Sequence, residues 1–446
     1  MSITKAEFER AVHRGLGRAV LWLQRSEIVP DRDFLLYACT HDLAYDRQTE
    51  DSRALYMFDV IRATSEPEWY VQAMQRTLAE WDENQEEAGN KENDIGLPVS
   101  ISQMSDLLAL AAQNGDLAAK QSLYAFFEKY AASAFTLYSA DALVAMDGLE
   151  GCLFAVRQWI INPPQEDDQW YEGYLLREVD EQFGSEAVDT LLEQASHVEP
   201  AIGAYLTKFR EERAPRHERR KRRPKPDKPD YAELRELIFN TSIRYGPMVW
   251  ARYGERLPAA DAQQLAFELL AETDPLPLAR YLLLFRRRPF PLDHAPLLTL
   301  AQSEKQEVAA AARAALTQIE HPSVRALALE LLDDSLRPWE LIEMLTRNFC
   351  PGDEKAVERV LSKAWDADEM HQITLRMRRL AEANPQPALA GALLRLYEEG
   401  WCTMCRHGVL ELLTQFGPLP PSITEECRFD AYDETREFAA AVTSTP

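Results

Sequence analysis

The string Trp401-Cys402-Thr403-Met404-Cys405-Arg406-His407 sets two thiols three positions apart, a spacing that lets them ligate one metal ion or exchange as a dithiol. Gly400 is expected to end a helix over 388–399, so Cys402 opens the next one, where the positive end of the helix dipole favours a thiolate. Closed structural zinc needs four ligands, and the further candidates are His407 and Cys427. His407 is two residues beyond Cys405, roughly 200° around a helix, and Cys427 follows a Pro-rich turn. A packing reading competes and is preferred: Leu394, Tyr397, Trp401, Cys405, Gly408 and Leu412 share one apolar stripe, and free cysteine is a common core residue. No metal or cofactor is therefore assigned, and Cys402, Cys405, His407 and Cys427 stand as the candidates for a zinc or thiol site.

Cys39-Thr40-His41-Asp42 brings a thiol, an imidazole and a carboxylate together in sequence. Neighbours on a helix point about 100° apart, whereas a catalytic triad converges in space. A hydrogen-bonded histidine packed between helices is the better expectation. His-Glu-x-x-His, a Gly-rich phosphate loop and Gly-x-Ser-x-Gly are all absent from the sequence. No catalytic residue is assigned, and the chain is not expected to be an enzyme.

The formal net charge is -24, which repels nucleic acid and anionic membranes over most of the surface. From Arg213 to Lys228, however, nine Lys or Arg residues face two acids, +7 in that window against -31 for the rest. Arg216, Arg219, Arg220, Lys221, Arg222, Arg223 and Lys225 are its candidate partner-binding residues, suited to phosphates or to an acidic protein surface. No aromatic residue interrupts them to stack on bases. A second cluster, Arg286-Arg287-Arg288 before Pro289, follows the apolar Tyr281 to Phe285 and reads as helix capping at the negative dipole end.

The elements that would carry these groups are helices. Glycine is scarce, 17 residues where average usage of about 7% would give roughly 30, and no sustained alternation or Asn-Gly hairpin signal marks a strand. Phe34, Ala38, His41 and Tyr45 fall on one helical face, followed by a second apolar run from Leu55 to Ile61. Leu107 to Ala111 runs into Asn114-Gly115-Asp116, a stop and restart before Leu123 to Phe127. Pro215, Pro224, Pro226 and Pro229 make 211–230 the best boundary. The expected organisation is an N-terminal helical domain over 1–210, a basic Pro-rich linker over 211–230, a C-terminal helical stack over 231–438 and a flexible tail over 439–446. Six dispersed cysteines do not form a disulfide framework, and no signal peptide or membrane span is expected, so a cytoplasmic location is predicted.

Glu304 to Leu316 is an Ala-rich helical run, and Pro322 to Leu332 follows as Pro-x-Val-Arg-x-x-Ala-x-x-x-Leu. This stretch, 304–332, resembles HEAT repeats, including those of bilin-lyase-type bacterial proteins. The resemblance implies an all-α solenoid of stacked antiparallel helix pairs with little or no β-sheet, continued by hairpins at 337–382 and 386–415. Such stacks hold proteins or extended peptides on one face. A non-catalytic scaffold or adaptor with a protein partner is thus the leading expectation. A nucleic-acid-associated solenoid working through the basic 213–228 segment is the alternative, and a zinc or thiol site at Cys402 and Cys405 the second.

Overall fold

The structure, a computed structural model, describes residues 3–47, 49–50, 52–82, 100–133, 139–164, 170–184, 186–213 and 229–444. Among these there are 26 α-helices and no strand, so the expected all-α class holds. No described helix is long and apolar enough to cross a membrane. Two compact units form: residues 1–223 together with 421–446, and residues 224–420.

The first unit holds α1 (Lys5–Arg14), α2 (Arg18–Gln24), α3 (Arg32–Thr40), α4 (Ala54–Arg62), α5 (Pro67–Glu80), α6 (Ile101–Gln113), α7 (Leu117–Tyr130), α8 (Ser139–Asp147), α9 (Leu149–Ile161), α10 (Trp170–Phe183), α11 (Ala187–Ser196) and α12 (Pro200–Arg213). The second holds α13 (Tyr231–Phe239), α14 (Pro247–Glu255), α15 (Ala259–Ala271), α16 (Pro275–Leu284), α17 (Ala295–Leu300), α18 (Gln306–Leu316), α19 (Pro322–Leu332), α20 (Pro338–Leu345), α21 (Glu354–Leu361), α22 (Ala367–Ala383), α23 (Ala390–Glu399) and α24 (Thr403–Phe416). The chain then returns to the first unit with α25 (Pro421–Cys427) and α26 (Asp433–Ser444).

Local chemistry explains the boundaries. Among the described residues seven helices open on a proline, where the missing N–H is harmless, among them α5, α14, α16, α19 and α20. Reciprocal capping boxes start α1 (Thr4 with Glu7), α13 (Asp230 with Glu233) and α22 (Asp366 with Glu369). Asp116 accepts from the Ala119 N–H at 2.9 Å and restarts the chain after the Asn114-Gly115 stop.

In each unit the helices pack as two rows joined by rungs. In the first, α2, α4, α6, α8 and α10 touch in succession, as do α1, α3, α5, α7, α9 and α11. In the second, α14, α16, α18, α20, α22 and α24 form one row, while α19, α21 and α23 pack in series beside it. Helices within the rows thus bury one stripe against a partner and another against the next pair. Trp159, Tyr56 and Phe127 are fully buried in the first unit, and Trp250, Tyr281 and Tyr397 in the second.

Three boundaries differ from the sequence expectation. The segment 337–382 contains three helices, α20 to α22, because Pro351 and Gly352, the latter at φ +105°, turn the chain within it. The second unit ends near Pro420 rather than at 438. The segment expected as a tail from 439 continues α26 to Ser444, with Ala439 fully buried. What ties α25 and α26 to the first unit is specific. Arg18 donates to both carboxylate oxygens of Glu426 at 2.7 and 3.0 Å, Arg436 donates to Asp59 at 2.7 Å, and the Ala431 N–H donates to the Gly15 carbonyl at 2.9 Å.

Candidate functional site

Two groups of residues in the second unit carry recognisable chemistry. The first is built on α22 and α24, neighbours in the even-numbered row. Cys402 is the N-cap of α24, and its sulfur accepts the Cys405 N–H at 3.4 Å, so the two thiols are fixed at the positive end of the helix. From α22, His371 brings its Nδ1 to 3.7 Å from the Cys405 Sγ. The ligand atoms of His371, Cys402 and Cys405 all lie within 4.8 Å of one another. Both cysteines are buried and the histidine is half-buried. Hydrogen bonding with Cys405, and then burial, hold the Cys402 thiol well above its ordinary value.

Sequence reasoning singled out the two cysteines but paired them with other residues. His407, on the following turn, lies beside Glu411, its Nε2 3.9 Å from the carboxylate. Cys427 is buried in α25, within the first unit. The structure gathers neither into the cluster; His371 takes the place expected for them.

The second group lines a cleft of about 420 Å³ on the even-numbered row of the second unit. Its floor is a helical stripe of α18, Ala310, Ala311 and Ala314, whose small side chains leave the space open. Tyr245, Trp250 and Trp339 supply aromatic walls. The charged lining is five arginines, Arg244, Arg280, Arg286, Arg337 and Arg376, against Glu307, Glu340 and Glu343. The cationic excess stands out in a chain of net charge -24.

These arginines are not equivalent. Arg280 is buried and spends its guanidinium on the carbonyls of Leu237, Ile238, Asn240 and Ile243, closing the C-terminal end of α13. Arg376 donates to Glu343 at 3.3 Å, and Arg379 donates to the same carboxylate at 3.0 Å. Arg286 has no side-chain hydrogen bond or ion pair among the described residues. Burial, reinforced by Arg376, Arg379 and Arg287, holds its guanidinium below the ordinary value against the pull of Glu343.

The capping role expected for Arg286-Arg287-Arg288 is therefore revised. Arg288 donates to the carbonyls of Gly254 and Leu257, at the end of α14 rather than of its own helix, and Arg286 faces the cleft. The Ala-rich run was a visible signal for the floor. Its meaning required knowing which face of α18 meets its neighbours.

Cys39 is buried, and His41, expected to pack between helices, is half-buried at the C-cap of α3. His41 Nδ1 lies 2.8 Å from the Thr40 hydroxyl and 3.0 Å from the Tyr37 carbonyl, and its ring stacks on Tyr37 at 4.0 Å. Burial pushes the Cys39 thiol up to about 12. The candidate partner-binding residues Arg216, Arg219, Arg220, Lys221, Arg222, Arg223 and Lys225 lie outside the described residues.

These two groups sit in an all-α protein. No family model, curated protein or solved structure matches the chain.

Proposed function

We propose that the second unit is a HEAT-like stack that works as a non-catalytic scaffold, holding an extended acidic segment of a partner protein along its even-numbered row. The observation that carries this reading is the cleft: a small-residue floor, tryptophan walls and a half-buried Arg286 that makes no ion pair among the described residues. A guanidinium held away from bulk water gains most from an anionic partner, because a charge-assisted, bidentate bond replaces lost hydration. Aromatic and arginine side chains are also the usual energetic anchors of protein interfaces. Tyr245 and Leu276 at the cleft, with Met248 nearby in sequence, are exposed apolar groups that an aromatic or aliphatic side chain of the segment would cover.

The test is an array of extended peptides graded in net charge and aromatic content, followed by solution titration of the best binder. Acidic peptides bind, and affinity falls as salt is raised. Arg286→Glu weakens binding by at least about tenfold, the equivalent of roughly 1.4 kcal/mol, and Ala310→Trp blocks the cleft with helix content unchanged. Binding that ignores both substitutions sinks the reading. For the basic 213–228 segment the scaffold reading predicts that its deletion leaves peptide affinity intact; salt-sensitive nucleic-acid binding lost on that deletion would favour the alternative.

A further inference from the structure

We infer that His371, Cys402 and Cys405 form a binding site for a thiophilic divalent cation, zinc(II), with two thiolates and one imidazole as ligands. The site goes beyond the peptide-binding reading and shares no residue with the cleft.

The geometry fits a metal closely. A tetrahedral zinc with Zn–S of ~2.3 Å and Zn–N of ~2.0–2.1 Å sets sulfur and nitrogen about 3.6 Å apart along an edge, and two sulfurs about 3.8 Å apart. The Cys405 Sγ to His371 Nδ1 distance is 3.7 Å, and the three ligand atoms fit within 4.8 Å of one another. The remaining pairs, within 4.8 Å, would have to close by up to about 1 Å to reach the tetrahedral edges.

The supporting contacts are already in place. The Cys405 N–H is aimed at the Cys402 sulfur, the kind of outer hydrogen bond that steadies a metal-bound thiolate. The N-terminus of α24 adds favourable potential for negative sulfur. The ligands come from two helices adjacent in one row, so the ion would clamp α22 to α24. Three protein ligands leave a fourth coordination position for water or an added ligand. On binding, two Zn–S bonds and one Zn–N bond form as zinc–water bonds and the two S–H bonds break; the displaced water and the two thiol protons leave to the solvent, and no electron is transferred.

The experiment uses the full chain, reduced, stripped of metal by chelation and exchanged into weakly buffered solution. Zinc is titrated in competition with a chromophoric chelator while released protons are read with an indicator, and cobalt(II) is added in parallel as a spectroscopic probe. The expected result is one equivalent of zinc, proton release on binding, and cobalt spectra with thiolate charge transfer and tetrahedral visible bands. Cys402→Ser, Cys405→Ser and His371→Gln each weaken zinc by at least about a hundredfold, beyond the ten- to hundredfold typical of losing an outer hydrogen bond.

Cys350→Ser, at the exposed thiol, leaves binding unchanged. Helix content is checked for every variant. If the buried serines impair folding, the half-buried His371→Gln decides the matter. Fewer than about a tenth of an equivalent bound, unchanged affinity in His371→Gln, or a Cys402–Cys405 disulfide that re-forms in the presence of zinc would each overturn the site.

Discussion

Asp106 and Asp141 are half-buried carboxyls of the first unit. Burial pushes Asp106 up to about 7, with the nearby Asp141 adding to the rise and the Ser52 hydroxyl, donating at 2.9 Å, opposing it. Burial pushes Asp141 up to about 6, opposed by the Tyr171 hydroxyl and reinforced by Glu178. Both folded values exceed the ordinary 3.8, so the folded state binds more protons than the unfolded one between those limits. Their contribution to stability is complete below the unfolded value and is lost as pH rises through 6 to 7. Asp106→Asn, which mimics the protonated carboxyl, should raise the melting temperature of the first unit at about pH 8 and leave it nearly unchanged at about pH 4. Thermal scans of both proteins at the two pH values check this; an equal shift at both would show that the carboxyl is not titrating. Such environments are beyond a sequence reading, because Asp106 is one polar residue in an amphipathic helix until its neighbours are known. The same holds at the metal cluster. Cys402 and Cys405 announce themselves by spacing, whereas His371 lies 34 positions before Cys405 on another helix and carries no local signal.

Between elements, the recurrent device is a side chain from one helix pair that closes the carbonyl end of an earlier one. Asn348 donates to the Ile319 carbonyl at 2.9 Å and to Met344 at 3.0 Å, while its own carbonyl accepts the His321 N–H at 2.8 Å. Asn384 repeats the pattern one pair later, donating to Thr346 and to Leu380. Gln103 does the same in the first unit, donating to the carbonyls of Ala38, Cys39 and His41 at the end of α3. Ion pairs reinforce the steps: Arg313 with Glu340, and Arg325 with Asp353. Asn348→Ala leaves three backbone groups without their partner and should cost about 1–3 kcal/mol. Urea unfolding of the second unit reads that cost as a lower midpoint at unchanged slope; a midpoint unmoved would mean that water replaces the amide. The stop and restart at Asn114-Gly115-Asp116 is legible, since Asp116 acts on its own turn. The staples are not, because an asparagine after a helix reads as a cap and only stacking reveals the neighbour that it serves. The three helices of 337–382 illustrate the same limit: Pro351 and Gly352 were visible, but the segment's length suited a simple hairpin.

At the scale of the whole chain, the first unit is discontinuous, and residues 421–446 complete it. Gly17 is where this closure is tightest. A Cβ there would stand 2.0 Å from the Glu426 carbonyl oxygen and 2.9 Å from Phe429. Gly17→Ala must therefore displace α25 and is expected to destabilise the first unit by about 2 kcal/mol or more, while leaving the Asn348-dependent unfolding of the second unit unchanged. Hydrogen exchange resolved by segment checks it: protection falls in α2 and α25 and persists in α18 and α20. Equal loss in both units would mean that they do not unfold independently. The discontinuity also sets a timetable for biogenesis. Residues 224–420 are contiguous and can condense as they emerge from the ribosome, whereas the Arg18 and Glu426 partners are separated by 408 positions and meet only after all of 224–420 has been made. Until then the nascent first unit keeps an unfinished edge beside α2 and α4, an interval of chaperone dependence that grows with every residue inserted before Pro421.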